Sequence, residues 1–246
     1  MKDKIVTFGE IMLRLSPENN ARFTQCNAFE AVYGGGEANT AVSLANFDVD
    51  ANYVTKLPKH IIGQAAINSL RQYGVGVDHI VRGGDQIGIY FLEKKTSQRP
   101  TNVIYNRAGS AFALATADDF NWDEIFDGAT WFHFSGITPA ISDEMTNICI
   151  TACQKAKEKG MTVSCDLNYR SKLWSSEKAC EAMSRICQYV DVCIANEDDA
   201  IGIFSMNPAD ANGEEKKCLH CQGTYEEIPI QDGCFSMENR NFYHNI

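Results

Sequence analysis

The stretch Thr162-Val163-Ser164-Cys165-Asp166-Leu167-Asn168-Tyr169-Arg170 decides the fold, because a short apolar strand runs directly into a polar end. Before it, Ser142 to Lys159 reads as a helix stopped by Gly160. After it, Ser176 to Tyr189 reads as a helix and Asp191 to Ala195 as a strand that runs into Asn196-Glu197-Asp198-Asp199. The same alternation extends upstream through strand Lys4 to Phe8, a helix after Gly34-Gly35-Gly36, strand Asn52 to Leu57, helix Ile61 to Tyr73 and strand Thr130 to Phe134. Such a rhythm predicts an α/β fold, a mainly parallel sheet covered by helices on both faces, with ligands outside the carboxyl ends of the strands. Two successive extended runs, Ile87 to Leu92 and Asn102 to Tyr105, interrupt it and predict a hairpin outside the main sheet.

Composition narrows the partners. The 246 residues carry 44% hydrophobic side chains, ordinary for a globular core, and suit one large α/β domain or two small ones. A net charge of −10 with no concentrated basic face argues against nucleic acid, and against anionic membranes for the same reason. No segment is long and apolar enough to span a bilayer, and Met1-Lys2-Asp3-Lys4-Ile5-Val6 does not read as a signal peptide, so a cytoplasmic protein is expected. Of the ten cysteines, Cys149, Cys153, Cys165, Cys180, Cys187 and Cys193 sit among apolar neighbours and read as small buried hydrophobes.

The glycines at 34–36 let the backbone turn and approach a ligand with bare amides, and the helix behind them would present its free N–H groups. Glu37 and Asn39 would stand beside that cradle. A tight loop before a helix is equally often structural. Alternation sends Tyr105 and Arg107 to one face of the hairpin. Arg107 and Arg170, both at strand ends, suit a carboxylate gripped by paired hydrogen bonds. Surface ion pairing is the plainer alternative for each.

The segment from Ile5 to about Met206 closely resembles the ribokinase (PfkB-type) carbohydrate kinases, and within them the 2-keto-3-deoxygluconate kinases. The matching stretches are Gly9-Glu10-Ile11-Met12-Leu13-Arg14-Leu15-Ser16-Pro17, Gly34-Gly35 with Asn39, Ala41 and Leu44-Ala45, and Gly88-Ile89-Tyr90-Phe91. They continue with Tyr105-Asn106-Arg107-Ala108-Gly109-Ser110-Ala111, Phe134-Ser135-Gly136-Ile137-Thr138 and Asp166-Leu167-Asn168-Tyr169-Arg170. The resemblance implies a ribokinase-like three-layer α/β/α fold over residues 1–206, with a small β-lid from segments at about 11–33 and 85–107. It implies transfer of the ATP γ-phosphoryl group to the terminal hydroxyl of 2-keto-3-deoxygluconate or a related keto-sugar, with Mg2+. Gly35, Gly36 and Asn39 would floor the sugar pocket, Tyr90 and Tyr105 would flank the ligand, Arg107 and Arg170 would hold its carboxylate, and Asn168 would shape the same pocket. Asn196 and Asp199 match the family's Asn-x-x-Glu motif, which organises magnesium and phosphates without direct ligation being implied. A homo-oligomer through the lid is also compatible with the resemblance.

Two departures stand out. Asp48 occupies a position where relatives end the first helix with glycine. More seriously, the family's Gly-Ala-Gly-Asp segment, which supplies anion-stabilising amides and the general base, is missing, so no catalytic residue is assigned. Residues 207–246 read instead as a polar, irregular, divergent tail with Cys218-Leu219-His220-Cys221, Cys234 and His244, better explained as a rearranged gene end than as a zinc site. The alternatives are an impaired kinase, a non-catalytic sugar-acid-binding remnant and a kinase for a fructose-like sugar. A general base contributes roughly 10² to 10⁴-fold, so the 246-residue chain is expected to release ADP no faster than background in a coupled assay with 2-keto-3-deoxygluconate. Robust turnover would contradict this.

Overall fold

The computed structural model describes residues 3–205 and Cys234–Met237. In chain order the elements are β1 (Lys4–Phe8), β2 (Met12–Pro17), β3 (Phe29–Gly34), α1 (Gly36–Asn46), β4 (Asp50–Val54), β5 (Lys56–Leu57), α2 (Ile61–Arg71), β6 (Val81–Arg82), β7 (Ile89–Glu93) and β8 (Asn102–Asn106). They continue with α3 (Trp122–Ile125), β9 (Trp131–Ser135), α4 (Ile137–Ala140), α5 (Asp143–Glu158), β10 (Thr162–Asp166), α6 (Ser176–Cys187), β11 (Val192–Ala195), α7 (Glu197–Phe204) and β12 (Cys234–Met237). Two compact units result, one of Thr7–Phe120, the other of Asp3–Val6 with the described residues from Asn121 onward. No helix among the described residues is long and apolar enough to cross a membrane.

In the unit that begins at Asn121, β9, β10, β11 and β12 lie side by side and parallel. The helices between them start and stop where their residues require. The Ser142 hydroxyl accepts the Met145 N–H at 3.1 Å, Asp143 and Glu144 occupy the positive end of α5, and Lys155 and Lys157 its negative end. Gly160, at φ 71°, then turns the chain. The Ser175 hydroxyl caps α6 in the same way, 3.3 Å from Lys178 N. Phe132 packs edge-on against Trp122 and Phe126, with ring centroids 5.8 and 5.1 Å away, and stacks on Phe134. Cys149, Cys153, Cys165, Cys187 and Cys193 are buried, as their apolar neighbours predict, whereas Cys180 is only partly so. Burial pushes the Cys187 thiol up to about 12, leaving it un-ionised and inert.

In the unit Thr7–Phe120, α1, α2 and β4 enclose a core that includes Ala38, Ala41, Tyr53, Ala66, Ile67 and Leu70. Each large side chain buried there contributes about 1.5–3 kcal/mol. The Tyr53 hydroxyl donates to the Gly9 carbonyl at 2.7 Å, so the one polar atom of that ring is satisfied inside the core. The expected hairpin, β7 with β8, does lie in a separate sheet, of order β3-β2-β7-β8. β2 is antiparallel to β3 and parallel to β7, and β7 is antiparallel to β8. Asp48 stands at φ 60°, the left-handed conformation that aspartate adopts in place of glycine.

The expectation that residues 207–246 are irregular is corrected at Cys234–Met237, which continue the sheet beside β11 in the register Val192↔Cys234 to Ala195↔Met237. Cys218, His220, Cys221 and His244 lie outside the described residues.

On β9, His133 Nδ1 is 2.8 Å from the Ser164 hydroxyl, which also accepts the Trp131 Nε1–H at 2.7 Å. Burial pulls the imidazole down to about 4. The unfolded chain, with an ordinary histidine, binds a proton below about 6.5 that the folded chain refuses until about 4. Stability is therefore lost as pH falls through that window, by about 2–3 kcal/mol from this group. Urea unfolding at pH 7 and pH 4 should show that extra loss in the parent and not in His133→Gln; equal losses in both would remove the assignment.

Candidate functional site

The glycine run is built from two different requirements. Gly35 is the N-cap of α1 in extended backbone, and a Cβ on it would lie 2.2 Å from the Glu10 carbonyl oxygen. Its missing side chain makes room for the protein itself. Gly36 is exposed, and a Cβ there would meet nothing within 4 Å. Asn39, exposed on the next turn, has its Oδ1 3.5 Å from where a Gly34 Cβ would sit. Gly36 and Asn39 are therefore open at the mouth of the helix. Glu37 does not join them: it is 4% exposed, and its carboxylate fills the space above Gly9.

The four-stranded sheet β3-β2-β7-β8 gathers most of the remaining predicted residues of this unit. Tyr90 on β7 pairs directly with Tyr105 on β8, with ring centroids 5.8 Å apart at 31°. On the other side Tyr90 is in register with Arg14 of β2, whose charge acts on the Tyr90 phenol. Burial raises the Tyr90 pKa, and the Arg14 charge opposes that rise. The row Arg14, Tyr90, Tyr105 thus crosses three strands on one face. Arg107, two residues beyond Tyr105, is 11% exposed and forms an ion pair with Glu10 that is itself buried. The plainer alternative, a surface ion pair, does not describe it. Arg14 and Glu10 were not singled out from the sequence. Their only signal there was membership in the stretch Gly9 to Pro17.

The other unit places Asn168, Arg170, Asn196 and Asp199 at the carboxyl ends of β10 and β11. Leu167 N donates to Ile194 O and Gly136 N to Asp166 O, both at 2.8 Å, which ties three strand ends together. Asn168 stands at φ 40°, an uncommon conformation of the kind that concentrates at ligand sites. Arg170 is exposed, and the one hydrogen bond of its side chain among the described residues goes from Nη1 to the neighbouring Tyr169 carbonyl at 3.2 Å. Asn196 and Asp199 form a capping box on α7: Asn196 Oδ1 accepts Asp199 N–H at 2.9 Å and Asp199 Oδ2 accepts Asn196 N–H at 3.2 Å. Asp199 Oδ1 accepts the Tyr169 N–H at 2.9 Å. Both carboxylate oxygens are thereby committed to backbone. No group of three or more His, Cys, Asp or Glu among the described residues is arranged to hold a metal ion.

Comparison with known proteins agrees with this architecture. The profile of "pfkB family carbohydrate kinase" matches residues 2–229, which carries the likeness past Met206, where the sequence reading ended it. The 2-dehydro-3-deoxygalactonokinase of Haloferax volcanii is 38% identical over 209 residues, covering 84% of this chain and 65% of that protein. The 2-dehydro-3-deoxygluconokinase of Bacillus subtilis is 28% identical over 179 residues, covering 72% and 55% respectively. Among solved structures, 2-dehydro-3-deoxygluconokinase from Thermotoga maritima superimposes with a TM-score of 0.87 at 48% identity, covering 93% of this chain and 70% of that one. The chain thus spans a little under two thirds, and about half, of the length of the two curated relatives.

The two glycines should respond differently to a methyl group. Gly35→Ala forces the chain away from the Glu10 carbonyl and should lower stability by about 1–3 kcal/mol, whereas Gly36→Ala should leave the urea midpoint unchanged. Equal midpoints for the two variants would show that the close approach at Gly35 is unimportant.

Proposed function

Because the chain belongs to the pfkB family of carbohydrate kinases, we propose that it serves the ATP-dependent phosphorylation of a 2-keto-3-deoxy sugar acid, with Arg107 reading the acid's carboxylate. The observation that carries this reading is the Arg107 guanidinium, 11% exposed and two residues beyond Tyr105, which pairs with Tyr90. The likeness to kinases named for the gluconate and galactonate forms of the same acid supports the class and leaves the choice between the two forms to experiment.

In this reading the exposed Gly36 amide and Asn39 side chain take sugar hydroxyls, while Tyr90 and Tyr105 lie against the ring or chain of the ligand and keep water from it. In the other unit, Asn168 and Arg170 at the end of β10 are candidate donors to an oxyanion. On the nucleotide side, ATP supplies the phosphoryl group and Mg2+ would neutralise its charge. Asp199 is given no direct ligation: each of its oxygens already accepts a backbone N–H, and no group of three or more His, Cys, Asp or Glu among the described residues is arranged to hold a metal. Asn196 and Asp199 are assigned instead to shaping the loop and the start of α7. The 246 residues hold no Gly-Ala-Gly-Asp, so no residue here is given the role of general base. A cytoplasmic setting suits such a role.

Losing a charge-assisted hydrogen bond costs roughly 1.5–3 kcal/mol, so Arg107→Ala should weaken 2-keto-3-deoxygluconate binding at least tenfold in calorimetry. The parent chain should bind that acid more tightly than fructose. Equal affinity for the two would remove the sugar-acid reading and favour the neutral-sugar one.

A further inference from the structure

Glu10 is one of the most constrained side chains in the unit Thr7–Phe120. It is 5% exposed and lies immediately after β1, yet all of its partners come from far along the chain. Arg107 forms an ion pair with its Oε2, and the Ser110 hydroxyl donates to its Oε1 at 2.5 Å. Those two partners belong to one tight turn, closed by Ser110 N–H donating to the Arg107 carbonyl at 2.9 Å. The Ser110 hydroxyl also accepts the Ala113 N–H at 3.0 Å, which fixes its direction. Space for the carboxylate is provided by Gly88, where a Cβ would lie 2.5 Å from Oε1. Among the described residues neither Arg107 Nε nor Glu10 Oε2, both buried, has a hydrogen-bond partner, so the pair is held by charge through Nη2. The guanidinium is therefore held at Nη2 and left with an unused buried donor at Nε.

We propose that Glu10 is the positioning residue of the sugar-acid site, holding the Arg107 guanidinium by one edge so that its remaining donors meet the carboxylate of the ligand; this rests on the reading of Arg107 given above. A guanidinium has five N–H donors in a fixed fork, so one carboxylate on one edge does not use it up. Without an internal partner, a cation this buried would be expected to turn toward water, and an incoming acid would have to order it again. Glu10 acts through Arg107 and need not touch the ligand. Desolvation raises the Glu10 pKa and the Arg107 charge opposes it, in keeping with a carboxylate that depends on this one cation.

The test compares 2-keto-3-deoxygluconate with its methyl ester, which keeps every hydroxyl and loses the charge, by calorimetry on the full chain. The parent should bind the acid at least tenfold more tightly than the ester. Glu10→Gln, isosteric and uncharged, should weaken the acid at least fivefold while changing the ester less than twofold. In an Arg107→Ala background the same substitution should change neither ligand further. Equal weakening of acid and ester would mark Glu10 as merely structural, and tighter acid binding would show that its negative charge opposes the ligand; either overturns the proposal. Should Glu10→Gln fail to fold, Ser110→Ala releases the other side of the carboxylate and should weaken the acid alone, by at least twofold, and an unselective or absent effect overturns the proposal equally. If the parent does not distinguish acid from ester, it is the sugar-acid reading itself that falls.

Discussion

A carboxylate removed from water must be compensated where it lies, and the pairing of Glu10 with Arg107 sets the conditions that much of the unit Thr7–Phe120 meets. Desolvation costs several kcal/mol per ion, and the attraction between the two offsets this only when the remaining lone pairs are also satisfied. Ser110 takes one of them. The geometry then demands two glycines, because side chains at Gly35 and Gly88 would collide with the Glu10 carbonyl and carboxylate. Four stretches far apart in sequence, at Gly9-Glu10, Gly34-Gly35, Gly88 and Arg107 to Ser110, are thus one physical object. Their joint presence in the chain follows from a single packing problem.

The other unit solves a different problem, which is to end three parallel strands without leaving their backbone groups unsatisfied. Neighbouring strand ends bond to each other through Leu167 and Gly136, and the Gly136 backbone comes so close to the Leu167 carbonyl that a Cβ would lie 2.2 Å from it. Asp199 then supplies acceptors to two amides that helix and strand would otherwise leave open, those of Asn196 and Tyr169. An aspartate at this place, where glutamate is the family pattern, is short enough to close the capping box and still reach the loop. Gly202 lets the Tyr169 ring lie against α7, since a Cβ there would be 2.7 Å from the ring. The loop that carries Asn168 and Arg170 is therefore held from below by its own backbone and by one carboxylate.

The alternation of strands and helices was legible because burial on a parallel sheet writes short apolar runs, and turns and caps write Ser142, Gly160 and Ser175 between them. Strand β1 falls at Lys4–Phe8 as read. Strand β3 was not read as a strand, because its outer residues, Phe29, Glu30 and Ala31, are exposed and give no clean alternation. Its conformation is set by pairing with β2. Helix α4 is four residues long and contains Pro139, tolerable in a first turn where the N–H has no helical partner. At the site, Tyr105 and Arg107 could be placed on one face from parity alone, whereas Tyr90 joins them through the strand register. Glu10 could not be linked to them, because a contact 100 residues along the chain leaves no local pattern. The turn of Glu37 into the core was equally invisible, since the residue beside a glycine loop reads as polar and outward.

The contacts that shape Arg107 come from Glu10 and from the turn that ends at Ser110, and those that shape the strand ends come from Asp166, Leu167, Ile194 and Asp199. Each set closes within its own unit. None of these bonds requires the glycine-rich anion hole or the aspartate base of the family, which act on the transferring phosphoryl group and on the attacking hydroxyl. Recognition of an acid and transfer of a phosphoryl group are then separable properties of such a chain. Binding energy realised equally in ground and transition states lowers the ligand concentration needed for occupancy without accelerating the chemistry. Under the proposed reading, a chain that keeps Arg107 in place holds the acid whether or not it can phosphorylate it, and affinity, measured apart from turnover, is the quantity that reports on the residues described.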